Sequence, residues 1–246
     1  MQAGIMQPYF LPYIGYFQLI NQVDLFLLYG QVSFRKKSWI TRNRLKEKSN
    51  GSAYFCSVPV KKQSSSKSIH AIEIDNSAVW QRALLARIES DYRGATYFEE
   101  TYPVLKNILT FKTDKLIALN NYSVKLLAAH LGINATILDS QDTHFDDLET
   151  QLLSRPHEDT DTRSARVLAL CKHLNCNGYV NPPGGTELYD KALFLSKGVT
   201  LSFMQPTTYV YDQFSTPFMA NLSIVDALMH TGRLACKMHL DKASAV

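Results

Sequence analysis

The chain has 246 residues, 46% of them apolar and 20% charged, a balance that supports a packed core and excludes disorder over most of its length. The net charge of +4 is too small for a dedicated nucleic-acid binder, and no apolar run reaches the ~18 residues that a membrane-spanning helix needs. Met1 leads within a few residues into a strand-like run rather than a signal peptide, so the expected location is the cytoplasm.

Residues 3–7 read as a short buried strand closed by Pro8, and Pro12, which lacks an amide hydrogen, keeps the next segment out of a helix interior. Apolar residues then recur at helical spacing over 13–22, and the continuous apolar run 25–29 suits a strand covered on both sides. Strand, loop, helix and strand within about thirty residues is the length of a βαβ unit. Residues 54–60 read as another strand, with 69–74 as its hairpin partner across a polar loop, 61–68, that is expected to be mobile. Helices are expected over 78–92, 98–109 and 114–131, the last with Thr113 as N-cap and Gly132 beyond its end. A short strand at 135–138 precedes an acidic stretch that reads as loop. A helix over 162–174, a strand at 178–180, a helix over 187–196, a strand at 199–203 and a last helix over 222–230, ended near Gly232, complete the chain. Alternation of this kind implies an α/β fold, with a mainly parallel, doubly wound sheet and helices on both faces. One domain is expected over 1–240, with the acidic loop 139–161 as the place for any internal boundary.

Charge is unevenly spread. Residues 35–67 carry ten Lys or Arg and one acid, Glu47; residues 139–161 carry eight acids and one Arg, Arg155. Two readings stand open: solvated surface stretches, or a basic stretch beside an anionic ligand such as the phosphates of an activated sugar. Cys56, Cys171, Cys176 and Cys236 show neither CxxC nor metal-ligand spacing, so they read as reduced thiols, and no metal site is expected. No cofactor motif is present, and ATP stays open as a co-substrate.

Four segments carry candidate chemistry. Met6-Gln7-Pro8-Tyr9-Phe10-Leu11-Pro12-Tyr13-Ile14-Gly15-Tyr16 follows the first strand, where open α/β sheets bind ligands. Its prolines stiffen the loop and Gly15 permits close backbone approach at a helix N-terminus; an aromatic-rich core loop is the alternative. Arg35 to Arg44 supplies guanidinium forks at Arg42 and Arg44 for phosphate or carboxylate, Asn43 for directional polarity and Trp39 for stacking a base or sugar ring. Asn181-Pro182-Pro183-Gly184-Gly185-Thr186 reads as a Gly-rich turn into a helix that Thr186 caps, suited to an anion or simply an αβ turn. Asp226 and His230 stand four apart, so they can meet on one helix face as an oriented base or as an ordinary helix contact. Arg163, Ser164 and Arg166 begin a helix that could hold a phosphate; helix capping and solvent exposure are the alternative.

The set MQPYFLPYIGYF, VDLFLLYGQVSF, KSWITRNRLK, YFCSVPV, GYVNPPGGTELYD and LSIVDALMHTG, in this order, resembles the WbqC-like family over residues 4–235. The resemblance implies a place in bacterial surface-polysaccharide (O-antigen) biosynthesis and a transferase that moves glycine or another acyl group onto a nucleotide-activated amino sugar. Family members often carry two aspartates where this chain has Gly30 and Gln31. Separately, Tyr13-Ile14-Gly15-Tyr16 is similar in spacing to the His-x-Gly-His loop of HIGH-motif nucleotidyltransferases, an analogy that implies a nucleotidyltransferase-like (HUP-like) first half. Tyrosine at both histidine positions stays neutral near pH 7, which speaks against imidazolium-assisted transfer.

The expected site therefore places Arg42 and Arg44 on a diphosphate, with Tyr9, Tyr16 and Trp39 shaping the sugar or base pocket. Tyr13, Asp226 and His230 are the candidate catalytic groups. Gln7, Asn43 and the amides of Gly184 and Gly185 are further contacts. The partner is a nucleotide sugar or amino sugar; a non-catalytic precursor-binding protein and an RNA-contacting protein are the alternatives.

Overall fold

The structure is a computed structural model that describes residues 1–61, 66–141, 143–154 and 161–246. Six strands, β1 (Gln2–Met6), β2 (Leu25–Leu28), β5 (Thr136–Asp139), β6 (Gly178–Asn181), β7 (Thr200–Gln205) and β8 (Ser244–Ala245), form one sheet; β3 (Arg42–Lys46) and β4 (Ala53–Ser57) form a separate ribbon. The helices are α1 (Ile14–Asn21), α2 (Trp80–Tyr92), α3 (Phe98–Leu109), α4 (Leu116–His130), α5 (Thr143–Ser154), α6 (Thr162–His173), α7 (Lys191–Ser196) and α8 (Ile224–Leu240). The strand order is β5-β2-β1-β6-β7-β8, parallel except where β8 runs antiparallel to β7.

The expected βαβ unit is present: β1 and β2 pair from Ala3↔Leu25 to Met6↔Leu28 around α1. Alternate strand residues feed opposite faces. Phe26 and Leu28 enter the larger core with Phe17, Leu127 and Leu228, while Ile5, Leu27, Tyr179 and Leu201 enter a second core with Leu170 and Phe194. α1, α4 and α8 thus cover one face and α6 and α7 the other, the doubly wound arrangement read from the alternation. β1 has β2 on one side and β6 on the other, so the winding reverses there. A crevice opens beyond the carboxyl ends of strands at such a reversal.

Four expectations are corrected. The hairpin of 54–60 with 69–74 is replaced by β3 against β4, in register from Arg42↔Ser57 to Lys46↔Ala53. A single bridge, Val60↔Ile74, remains of the expected pairing, and Ile69–Ala71 is a 3₁₀ turn. The charges of Arg42, Arg44 and Lys46 hid a strand whose Asn43 and Leu45 are buried. The acidic stretch holds a helix, α5, because Phe145 and Leu152 fall on one face and are buried. The helix of the second half begins at Lys191, capped by Asp190, after a 3₁₀ turn at Pro183–Gly185; Thr186 donates to Pro183 O instead of capping it. Gly232 (φ 75°, ψ 169°) breaks α8, but helix resumes to Leu240 because Cys236, His239 and Leu240 are buried beyond the kink. A Cβ at Gly232 would lie 2.6 Å from the Tyr97 ring. Of the loop 61–68 whose mobility was expected, residues 62–65 lie outside the described residues, as does Arg155 of the acidic stretch.

Candidate functional site

A cavity of about 670 Å³ opens at the winding reversal, bounded by Met6 at the end of β1, Pro182 after β6, and Met204 and Pro206 at the end of β7. That is the usual place and size for a small-molecule site. The loop after β1 forms one wall. Its anchors are Phe10 and Leu11, both fully buried, and its backbone is held by side-chain amides. Asn120 Nδ2 donates to Pro8 O (2.9 Å) and Ile40 O (2.8 Å), and Asn43 Nδ2 donates to Phe10 O (3.2 Å). The N-terminus of α8 is stitched to the same loop and to β3: Ile224 N donates to Pro12 O (2.8 Å) and Ser223 N to Arg44 O (2.9 Å). Residues remote in sequence thereby form one rigid frame.

Tyr9, Tyr13, Trp39, Tyr209, Tyr211 and Phe218 give the wall an aromatic character. Burial pushes the phenols of Tyr9 and Tyr13 above their ordinary value, so both stay neutral hydrogen-bonding groups. Among the described residues on the wall, Arg44 is the one formally charged side chain. Its guanidinium lies 5.9 Å from the Trp39 ring, and its Nη2 makes long contacts of 3.5 and 3.4 Å to Ala220 O and Asn221 O. Its Nε has no hydrogen-bond partner among the described residues. Ile14 and Gly15 reach the cavity in the first turn of α1, whose amides have no intrahelical acceptor.

The predicted residues separate into two sets. Tyr9, Tyr13, Trp39, Asn43 and Arg44 share the cavity wall. Gln7, Tyr16, Arg42, Gly184, Gly185, Asp226 and His230 do not line it. Tyr16 is buried and donates to Gln7 O (2.9 Å). Arg42 stacks on Phe55, 4.1 Å from the ring centroid. Gly184 and Gly185 sit in the 3₁₀ turn, with Pro182 and Pro183 facing the cavity in their place. Asp226 is fully buried behind the wall, accepting from Tyr92 (2.5 Å), Tyr211 (2.7 Å) and Gln213 Nε2 (3.2 Å). Gln213 in turn accepts from Lys46 Nζ (3.0 Å), which also donates to Ser215 O and Pro217 O. His230 packs its ring against Phe214 (4.6 Å) and Tyr92 (5.9 Å), and burial holds its imidazole below the ordinary value, with Asp226 opposing. Among the described residues no hydrogen bond joins Asp226 to His230. Arg166 is engaged by Glu149, at 2.8 Å from Nε.

Sequence reasoning missed Gln18 and the segment after β7. Gln18 is fully buried on the cavity wall and its Nε2 donates to Thr207 O (3.0 Å) and Thr207 Oγ1 (2.9 Å). A glutamine inside the apolar helix run YIGYFQLI was the signal that could have found it. The segment Pro206 to Asn221 supplies Thr207, Tyr209, Tyr211 and Phe218 without any periodicity to announce it.

Gly30 and Gln31 lie away from the cavity wall. Gly30 N donates to Ser140 Oγ (2.8 Å) and Gln31 Nε2 to Ser140 O (2.6 Å), while His70 Nε2 stands 3.3 Å from the same hydroxyl. A Cβ on Gly30 would come 2.1 Å from Ile117 Cδ1 and 2.7 Å from the His70 ring. Among the described residues, no group of three or more His, Cys, Asp or Glu is placed to hold a metal ion. All four cysteines are buried, and burial pushes the thiols of Cys56, Cys171 and Cys236 up to about 12.

The profile of the WbqC-like protein family matches residues 7–238. The chain belongs to the WbqC-like protein family. Every residue of the cavity wall except Met6 falls inside the matched span, so the cavity is built from the family's region. This WbqC-like chain is similar to the uncharacterized protein Rv1507c of Mycobacterium tuberculosis, with 26% identity over 234 residues, 94% of each chain. No solved structure matches it. Among the described residues no helix is long and apolar enough to cross a membrane.

Proposed function

We propose that this WbqC-like chain is a transferase of bacterial surface-polysaccharide biosynthesis that binds a nucleotide-activated amino sugar in the cavity at the winding reversal and acylates its amine. The observation that carries the reading is the pairing of an aromatic wall with one cation, Arg44, at the carboxyl ends of β1, β6 and β7. Aromatic faces stack a base or sugar ring, and a guanidinium binds a phosphate oxygen. In the transfer, the sugar's neutral amine attacks the acyl carbonyl, a C–N bond forms, the donor's leaving group departs and the amine's proton passes to water. The amide of Gly15 supplies a donor for the oxyanion; the side chain of Asn43 is already committed to Phe10 O and to Arg44 N (2.9 Å). Glycine or another acyl group is the cargo that the family resemblance implies, with ATP, glycyl-tRNA or an acyl thioester as the source of activation.

The test is incubation of purified protein with UDP-glucosamine and each of those acyl sources, read by mass spectrometry. The acylated sugar nucleotide is the expected product, and absence of both product and nucleotide-sugar binding overturns the reading.

One observation favours a second reading, a precursor-binding protein without turnover: the described wall residues include no carboxylate, imidazole or thiol to move protons. Calorimetry beside the turnover assay separates the two, since tight binding of UDP-glucosamine with no product supports the binding role.

A further inference from the structure

Gln18 lies on α1 with its side chain fully buried, yet it forms part of the cavity wall. Its amide orientation is set by chemistry. Both Nε2 hydrogens are directed to Thr207, one at the carbonyl oxygen (3.0 Å) and one at Oγ1 (2.9 Å). Exchanging nitrogen for oxygen would set two acceptors against each other at Thr207 O, because a carbonyl cannot donate. His239 reinforces this placement, with Nε2 3.0 Å from Thr207 O and 3.2 Å from Thr207 Oγ1, and its ring stacked on Tyr209 at 4.3 Å. Oε1 is therefore the remaining end of the amide, and it has no hydrogen-bond partner among the described residues. A buried amide oxygen without a donor is unfavourable, and such groups in native proteins are concentrated where something else completes them.

We infer that Gln18 is the specificity-determining residue of the cavity: Oε1 accepts a hydrogen bond from an N–H donor on the ligand, so the site selects molecules that carry such a donor beside a ring. Within the proposed function, on which the identity of the ligand but not the role of Gln18 rests, the donor is the nitrogen of the amino sugar. Arg44 holds the anionic end of the same ligand. A sugar lacking nitrogen at that position leaves Oε1 orphaned, which is how one acceptor discriminates between ligands of similar shape.

The experiment measures binding by ligand-observed NMR for two matched pairs: UDP-glucosamine against UDP-2-deoxyglucose, and benzamide against methyl benzoate. For wild type, the N–H-bearing member of a pair binds about tenfold tighter than its counterpart. Gln18→Met, checked for folding by circular dichroism, lowers the donor's affinity to that of the donor-free member and leaves the latter unchanged. Equal binding of both members to wild type overturns the inference without any variant, as does an advantage that survives in Gln18→Met. Discrimination within the benzamide pair with no nucleotide sugar bound upholds Gln18 and removes the carbohydrate reading. Nucleotide sugars bound without discrimination do the reverse, and no binding by any of the four overturns both.

Discussion

Tyr211 donates a 2.7 Å hydrogen bond to Asp226, joining a ring on the cavity wall to a carboxylate buried in α8. Through Gln213 the same carboxylate is linked to Lys46, so a buried negative group and a buried ammonium hold the strap after β7 between them. Replacing Asp226 by Ala leaves Lys46 without its counterpart and Tyr92 and Tyr211 without an acceptor. Loss of about 3 kcal/mol in urea unfolding is expected, because removing one member of a buried charged network is costly. Stability unchanged with activity abolished would return Asp226 to the role of base suggested by its spacing from His230.

Arg44 and Arg42 are two residues apart but differ in position. Arg44→Ala is expected to weaken UDP-glucosamine binding by roughly 10- to 100-fold, the worth of a charge-assisted hydrogen bond, whereas Arg42→Ala, at the Phe55 ring, leaves it nearly unchanged. Isothermal titration of the two variants decides it, and equal losses would count against the cavity as the binding site.

Glu149 is buried between Tyr29, which donates at 2.6 Å, and Arg166, at 2.8 Å. The network ties α5 and α6 to the end of β2, and Glu149 raises the phenol of Tyr29 and the guanidinium of Arg166 above their ordinary values, burial being the larger cause for the phenol. Glu149→Ala should cost about 3 kcal/mol and lower the melting temperature by roughly 6–12 °C. Calorimetry showing a shift within a degree or two would mean that α5 contributes little to the fold.

Acid should destabilise the protein in a window set by histidines. His70, His130, His230 and His239 are all held below their ordinary value, with burial the leading cause in each. The unfolded chain therefore binds more protons than the folded one once pH falls below about 6.5, so their contribution is fully present above that value and is lost as pH drops toward the folded values. The carboxylates Asp139, Asp161 and Asp241, held below their ordinary range, act at lower pH. Unfolding free energy measured from about pH 7 to pH 5 should fall, and His230→Phe, which suits the aromatic surroundings, should flatten the slope.

An acid at position 30 meets a steric obstacle. Gly30→Asp must displace Ile117 and the His70 ring, and destabilisation of about 2 kcal/mol or more is expected. Gln31→Asp, partly exposed, should fold normally. Gain of turnover in Gly30→Asp without loss of stability would show that the neighbouring residues accommodate the acid freely.

Local physics determined much of this protein. The apolar runs and prolines around β1, α1 and β2 announced a βαβ unit, helix 98–109 was legible to its ends, and the alternation of strands with helices implied a parallel doubly wound sheet. Those signals are periodicities and breakers whose meaning lies within a few residues. Tertiary structure alone decided the partner of β4, because pairing is a relation between segments and three charged side chains masked the alternation of β3. It also decided the site. Gln18 meets Thr207 across 189 positions and Tyr92 meets Asp226 across 134, and no spacing rule reaches so far. The same folding that gathered Tyr9, Tyr13, Trp39 and Arg44 around one cavity put Asp226 and His230 behind its wall, since a carboxylate with three buried donors is stabilised by what surrounds it rather than by what it faces.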